Sequence, residues 1–581
     1  MELKTNHYIC HPVCCLAKAP VWLHFIIGIL FLFSCGNEEN KTETVTAKKI
    51  RPEQMDESAG NLIRSMMQKA MQDSGRINVR IQLSQPVQVD SFYRKKGFTT
   101  HWSERDSLLA IADTIVNFIY SARYHGLFPE NYHLFHLFSV REKLRGDSSG
   151  KEARLDAALW AENDLLLTDA FIQLIQDIKL GRLPQDSVSS RKDSVLLNDF
   201  FLDQFIKFRY GASFSSIVAS LEPVHKGYHE LKSGIASFLQ KADLEKTYTF
   251  VPFPATDSFA FKSSLFKRLQ EEGLIPDSLT YTDTSKALIV AAIKEYQKKS
   301  GFTVDGVVGT QTAKRLNTSD KDRFFQLAIT LDRYKLLPEQ MPEKYVWVNI
   351  PAYNLKLVEH DSVILESKIV VGKPKTRTPV LNSAISEMIT FPQWTIPASI
   401  IEKEILPAVK RNPEYLIKKG YSLIDKEGME VDPFTVEWVK YKKTIPYKVV
   451  QGSGDDNALG ILKFNFSNKY AVYLHDTNQR YFFSRVERAL SHGCVRVQDW
   501  KTLAFYILKN DSLNAGSRNY TPSDSVKRWL SVKEKHIVPV RNRIPLFIRY
   551  FTCEGKNGTI IFYDDIYNED AELRKYYSAI K

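Results

Sequence analysis

The sequence predicts a multidomain α+β protein: a mainly helical N-terminal scaffold, a small three-helix module, and a mostly β domain with an inserted helical lid. Three observations predict it. At 581 residues the chain is too long for one hydrophobic core, so about three or four domains are expected. Apolar residues recur at helical spacing from about Ile77 to Val251, and the period shortens to two from Tyr345 onward. Between Ile400 and Tyr447 short helical stretches interrupt that β pattern.

Composition is ordinary globular, 44% hydrophobic and 25% charged. The balance of 79 Lys+Arg against 67 Asp+Glu gives +12, which suits a polyanionic surface. No basic block or nucleic-acid motif accompanies the excess, so no nucleic-acid partner is expected.

Residues 1–34 read as a lipoprotein signal peptide. The run Val21 to Phe33 is thirteen residues long, too short for a membrane span and suited to the core of a secretory signal, with Lys4 and Lys18 before it. It ends in Leu32-Phe33-Ser34-Cys35-Gly36, which resembles a bacterial lipobox; that likeness implies lipidation of Cys35, a lipid anchor in a membrane and a periplasm-facing location. An uncleaved signal anchor is the alternative. Gly36 in place of aspartate points to the outer membrane, by analogy with the best-known sorting rule. Cys10, Cys14 and Cys15 precede the expected cut, leaving Cys494 and Cys553 unmodified. An exported chain that keeps so few thiols is expected to use one chemically, the alternative being a Cys494–Cys553 bridge.

Residues 35–75 are polar and charged without a long apolar period and read as a flexible tether. Residues 76–252 follow helical patterns, as in Leu108 to Ile119 and Ala157 to Ile178. Here His125 and His133 lack a third ligand at metal spacing and read as helix-end or core histidines. Residues 258–320 form the small module: Leu265 to Leu274 is a helix closed by Gly273, Ser285 to Gly301 a second, and Thr310 to Leu316 a third after the Asp305-Gly306 turn. Residues 340–510 carry the strands, with residues 400–447 as the lid, and Leu462 to Phe466 with Tyr470 to His475 as a hairpin. Residues 511–581 are an extension packing on the β domain, whose strand-like stretches Ile537 to Val540, Leu546 to Phe551 and Thr559 to Tyr563 add to its sheet or brace it against the helical region.

The chemistry concentrates in Ser491-His492-Gly493-Cys494-Val495-Arg496, preceded by Tyr473-Leu474-His475-Asp476. Cysteine attacks as its thiolate, and a free thiol with a pKa near 8.5 is only a few per cent ionised at neutral pH, so a base or cation must lie within reach. His475 lies nineteen positions before Cys494 and His492 two before it; spacing does not rank the two imidazoles. Gly493 lets the backbone approach an acyl group and offers amides for an oxyanion. Arg496 supplies a two-pronged clamp for a carboxylate. A zinc site built on His475, His492 and Cys494 is a further reading of the same residues.

These residues resemble the signature of L,D-transpeptidases with a YkuD-type catalytic domain. Flanking pieces agree: Asn349-Ile350-Pro351-Ala352-Tyr353, Val370-Val371-Gly372-Lys373 with Thr378-Pro379, Pro392 to Pro397, and Asn457-Ala458-Leu459-Gly460 with Lys463-Phe464. Gln297, Gly301, Asp305 to Gly309 and Thr312 likewise resemble the peptidoglycan-binding domain family, and the domain order resembles the large Gram-negative members. The resemblance implies Cys494 as nucleophile and His475 as general base, with Gly493 and Cys494 forming the oxyanion site and Ser491, His492, Arg496 and Tyr473 shaping the pocket. Many relatives carry glycine after the base histidine where this chain has Asp476, which leaves the third, orienting group open between the Asp476 side chain and a backbone carbonyl. The implied partners are peptidoglycan tetrapeptide stems, as donor and acceptor, and the implied product is a 3→3 cross-link. Carbapenems are implied to trap the thiol, and no cofactor or metal is implied. L,D-carboxypeptidase activity, attachment of a protein to the wall, and a non-catalytic wall-binding lipoprotein are the alternatives.

Overall fold

A computed structural model describes residues 50–577 apart from 146–148, 192, 194, 256, 515, 517 and 518. The apolar run Val21 to Phe33 and Cys35 lie outside the described residues. Among the described residues no helix is long and apolar enough to cross a membrane.

The helical region begins earlier than the sequence suggests. Met55–Gln72 is a helix, α1, that buries Met55, Ala59, Ile63, Met67 and Ala70 against a core shared with a second long helix, Ala157–Leu180, α2. The tether expected over 35–75 therefore does not extend through this stretch. Its apolar positions recur every three or four residues but are few, mostly Met or Ala, and separated by polar residues, so composition conceals a real stripe. Gly60 lets α1 lie against the backbone at Phe98 and Thr99; a Cβ there would meet the Phe98 carbonyl oxygen at 2.4 Å.

Helix α2 is buried on most sides, and its polar residues are partnered. Asp164 accepts from the Tyr93 hydroxyl at 2.6 Å, Thr168 from the Trp102 indole at 2.8 Å and Asp177 from the Tyr132 hydroxyl at 2.8 Å, which removes the cost of burying them. His133 sits 2.6 Å from the Asp169 carboxylate and His125 3.6 Å from Glu222, as core and helix-end histidines do.

Three helices, Ser258–Glu271, Lys286–Lys299 and Thr310–Leu316, enclose a separate small core around Leu265, Leu269, Ile289, Ile293 and Leu316. The Gln297 amide nitrogen donates to Asp305 at 2.7 Å while its oxygen accepts from Gly306 N–H at 2.9 Å. The residues that carry the module's likeness thus hold its turn together. Helix α3, Asp320–Lys335, follows with a Ser319/Asp322 capping box, and the ammonium of its Lys335 reaches the Asp177 carbonyl on α2 at 2.7 Å.

The β domain is built from Lys344–Asn349 (β1), Asn354–Glu359 (β2), Ser362–Gly372 (β3), Leu381–Thr390 (β4), Leu462–Phe466 (β5), Leu474–His475 (β6), Ala489–Ser491 (β7), Val495–Val497 (β8) and Ile537–Arg549 (β9). Their order is β7-β3-β8-β6-β5-β4-β9-β1-β2, and β2 also pairs with β3, so the ladder closes on itself. Closure leaves most strands with two partners, which protects their backbone groups. Val346, Val348, Ile369, Phe464, Leu474 and Val495 fill the interior with the helix Trp500–Leu513.

The C-terminal extension adds a strand to this sheet, as its apolar alternation suggests: β9 runs antiparallel to β4 and parallel to β1. Two features depart from expectation. The expected Leu462/His475 hairpin shrinks to two paired positions, Lys463 with His475 and Phe464 with Leu474, because the Asn468 side chain ties Phe466 and Val472 carbonyls into a loop instead. The insertion is only partly helical. Tyr421–Ile424 and Glu430–Val431 form a small sheet with Lys448–Gln451 and Trp394–Thr395 over a core of its own, including Ile405, Leu416, Leu423 and Trp438. Strands of two to four residues are too short to show a period. Its helical part, from Ala398 to Arg411, contains a π turn at Ile401–Ile405. Pro407 stands two residues beyond; lacking an N–H and crowding the carbonyl of Lys403, four residues back within the turn, it favours the wider turn.

Candidate active site

The parallel pairing of β6 with β8 builds the site. Leu474 is in register with Val495, and His475 with Arg496. Leu474 and Val495 face the interior, so His475 and Arg496 share the opposite face, and one step earlier the Val495 N–H donates to the Tyr473 carbonyl at 3.0 Å. Tyr473 and Cys494 therefore stand beside each other on the face that carries His475 and Arg496. The rings of Tyr473 and His475 lie 5.9 Å apart.

His475 is almost fully buried, and its Nδ1 lies 2.5 Å from the backbone carbonyl oxygen of Asp476. A carbonyl only accepts, so Nδ1 carries the hydrogen and Nε2 keeps its lone pair. The Asp476 carboxylate is engaged elsewhere, accepting from Ile461 N–H and from Arg480, each at 3.1 Å. The third-group alternatives are thus separated: the backbone carbonyl of Asp476 is on the imidazole and its side chain is not. Burial, then the nearby Arg496 guanidinium, pushes His475 down to about 3, and the imidazole is neutral at physiological pH.

Burial pushes the Cys494 thiol up, with Tyr473, Lys463 and Arg496 opposing the rise. Cys494 is a half-buried free thiol and Cys553 a buried one, so no bridge joins them. Ser491 donates from Oγ to the Cys494 carbonyl at 2.6 Å and accepts the Gly493 N–H at 3.1 Å. The Gly493 amide is consequently occupied, against its expected part in the oxyanion site. Gly493 has φ +122, a conformation that favours glycine. Its carbonyl accepts from the Thr378 hydroxyl at 2.8 Å, and Thr378 in turn accepts from Gly372 N–H at 2.9 Å.

Arg496 donates to Gln479 at 2.8 Å and Thr477 at 3.3 Å, leaving its buried Nε unpartnered. His492 lies off this row, with Nε2 2.5 Å from the Glu404 carboxylate in the π turn of the insertion. The two imidazoles therefore have separate partners, one on a carbonyl of the sheet and one on a carboxylate of the insertion. Between insertion and motif lies a cavity of about 770 Å³, bordered by Lys373, Trp394, Glu404, Tyr421, His492 and Arg496. A cavity of about 890 Å³ lies elsewhere, between Phe238, Lys314, Arg323 and Phe562, away from the thiol.

Two site residues carry no signal in the motif. Lys463 on β5 pairs with His475 and places its ammonium 3.8 Å from the centre of the Tyr473 ring. Tyr567, far downstream, donates its hydroxyl to the Gly372 carbonyl at 2.7 Å and accepts Thr378 N–H at 3.1 Å, bracing the loop that holds Gly493. Only the flanking position of Lys463-Phe464 in the resemblance hinted at the first, and nothing local marks the second.

Residues 343–515 match the model of the YkuD family, the L,D-transpeptidase catalytic domain. Residues 87–234 match a scaffold domain and residues 264–316 a domain described as "Putative peptidoglycan binding domain". A curated protein of Haemophilus influenzae, described as "Putative L,D-transpeptidase", is 36% identical over 262 residues, covering 45% of this chain and 50% of that protein. The chain thus spans about half the length of this curated relative. Among solved structures, an L,D-transpeptidase from Mycobacterium smegmatis shares 14% identity over 36% of this chain and 58% of its own, with a TM-score of 0.17. One from Xylanimonas cellulosilytica shares 15% over 50% and 92%, with a TM-score of 0.14. By the family models alone, residues 343–515 are similar to the YkuD-type L,D-transpeptidase catalytic domain, and they follow stretches similar to a scaffold domain and a peptidoglycan-binding domain.

Proposed function

We propose that the protein is a cysteine-dependent L,D-transpeptidase that forms 3→3 cross-links between peptidoglycan stem peptides. The observation that carries the reading is the β6–β8 register, which stands Cys494 on one sheet face with a neutral, carbonyl-oriented His475. In the first half-reaction His475 takes the Cys494 proton at Nε2 and the sulfur attacks the carbonyl at the L-centre of the donor's third residue. The Cys494 N–H, with the Gly493 amide already bonded, meets the oxyanion. The peptide C–N bond breaks, the proton returns from His475 to the departing D-Ala amine, and a thioester remains. In the second, the side-chain amine of another stem attacks the thioester and gives its proton to His475. The thiolate leaves and regains that proton.

The cavity beside His492 and Arg496 receives the stem, and the insertion closes over it to keep water from the thioester. Where water enters, the same site is an L,D-carboxypeptidase. The signal run and Cys35 support a lipid-anchored, periplasm-facing protein of the outer membrane, and the small module supports wall association.

Intact-mass analysis with a carbapenem, comparing wild type with Cys494→Ala, tests the thiol, and mass analysis of muropeptide products tests the outcome. An adduct confined to the wild type and 3→3 dimers are expected. No adduct on the wild type would sink the nucleophile; an adduct without dimers would leave the hydrolytic reading.

A further inference from the structure

Three adjacent strands present a row of basic residues: Lys463 on β5 faces His475 on β6, which faces Arg496 on β8. Paired residues on neighbouring strands project to the same face, so Lys463, like Arg496, stands on the side of the sheet that carries the Cys494 thiol. Lys463 is half-buried, and among the described residues no carboxylate lies within salt-bridge distance of its ammonium. Its contact is the face of the Tyr473 ring, 3.8 Å from the centroid, and Tyr473 is the residue beside Cys494. A partly desolvated ammonium without an ion pair is unfavourable unless an anion completes it, and the anion this site generates is the thiolate.

We propose that Lys463 is a positioning residue that holds the Cys494 thiolate electrostatically, so that His475 supplies only proton transfer. The proposal rests on the cysteine-nucleophile reading above and deepens it. The charged and titratable groups around the sulfur are Lys463 on β5, Tyr473 just before β6 and His475 on it, Arg496 on β8, and the His492–Glu404 pair from the insertion side; Glu387 on β4 acts on Lys463 from a distance, its carboxylate accepting from the Asn465 amide at 2.7 Å. Of these, His475 is neutral, His492 is tied to Glu404, and Arg496 shares its guanidinium with Gln479 and Thr477. Among the described residues Lys463 and Arg496 are the two cations here without a carboxylate partner, and of the two Lys463 makes no polar side-chain contact and rests on the ring of Tyr473. The direction of the local effects agrees: burial lowers Lys463 while Cys494 opposes the fall.

The test is site-resolved alkylation of Cys494 by iodoacetamide across pH 6 to 10 in the full chain, read by peptide mass. Lys463→Met keeps the stem against Tyr473 and removes the charge. Its midpoint of reactivity is expected to rise by about one pH unit, so that alkylation at neutral pH slows about tenfold. Lys463→Arg is expected to return the midpoint to the wild-type position. An unchanged midpoint in Lys463→Met overturns the proposal, because a purely structural contact does not move a thiol titration. Should Lys463→Met fail to fold, Lys463→Arg decides alone, a displaced midpoint overturning it. No stem peptide enters this experiment, so its failure is distinguishable from failure of the transpeptidase reading, which shows in muropeptide products.

Discussion

The imidazole of His475 is oriented by the backbone carbonyl of Asp476, 2.5 Å from Nδ1, while the Asp476 carboxylate faces away to Ile461 and Arg480. A peptide carbonyl fixes the tautomer without adding a negative charge beside the ring. Asp476→Asn is therefore expected to lower carbapenem acylation by less than about tenfold, whereas deleting the carboxylate of a Ser-His-Asp triad costs about ten-thousandfold. His475→Gln, which removes the base, is expected to cost at least about a hundredfold. A loss in Asp476→Asn as large as that in His475→Gln would assign the orienting role to the side chain.

Stability should depend on pH through His475. Its native pKa is pushed down to about 3, below the unfolded value near 6.5. Between those values the unfolded chain binds a proton that the native chain refuses. Stability is accordingly complete above about pH 6.5 and falls as pH drops towards 3, by about a few kcal/mol in total. Thermal melts from pH 7 to 4 should show a shallower decline in His475→Gln than in wild type. Parallel declines would place the imidazole in a more solvated setting.

Tyr567 reaches the site from the C-terminal segment. Its hydroxyl joins the Gly372 carbonyl and Thr378 N–H, and Thr378 holds the Gly493 carbonyl. Tyr567→Phe leaves both groups buried without a partner and is expected to cost about 1 to 3 kcal/mol. Acylation of Cys494 should slow as well, since the loop carrying Gly493 loses its brace. Equal rates in the variant and wild type would confine Tyr567 to stability.

Helix α1 belongs to the scaffold core. A chain beginning at residue 50 is expected to melt as the full chain does, while one beginning at residue 76 exposes the surface that Met55, Ile63 and Met67 cover. Within the full chain, Ile63→Ala should cost about 2 to 5 kcal/mol. Matching melts for the two shortened chains would return this stretch to the tether.

Much of the architecture was legible because it is local. A helical period gives way to a period of two near Tyr345, and Gly273 and the Asp305-Gly306 turn mark the small module. The thiol, the two imidazoles and the guanidinium were visible as a cluster because they fall within about twenty positions of one another. The start of the helical region and the strands of the insertion were not legible, because the local signal there is weak: α1 has a thin stripe of Met, Ala and Ile, and the strands of the insertion are too short to have a period.

The sequence by itself determined which groups are available: one motif thiol, His475 and His492, and a glycine at the turn. Only the tertiary structure decided how they are used. It set Lys463, His475 and Arg496 in one row, sent His492 to Glu404, turned the Asp476 carbonyl rather than its carboxylate on the imidazole, and brought Tyr567 under the Gly493 loop. The reason is physical. Composition and spacing fix the chemistry of each side chain, but strand register is a long-range property, set by which strands pair as the closed sheet buries its apolar rows, and a shift of one residue would turn Cys494 and His475 to opposite faces.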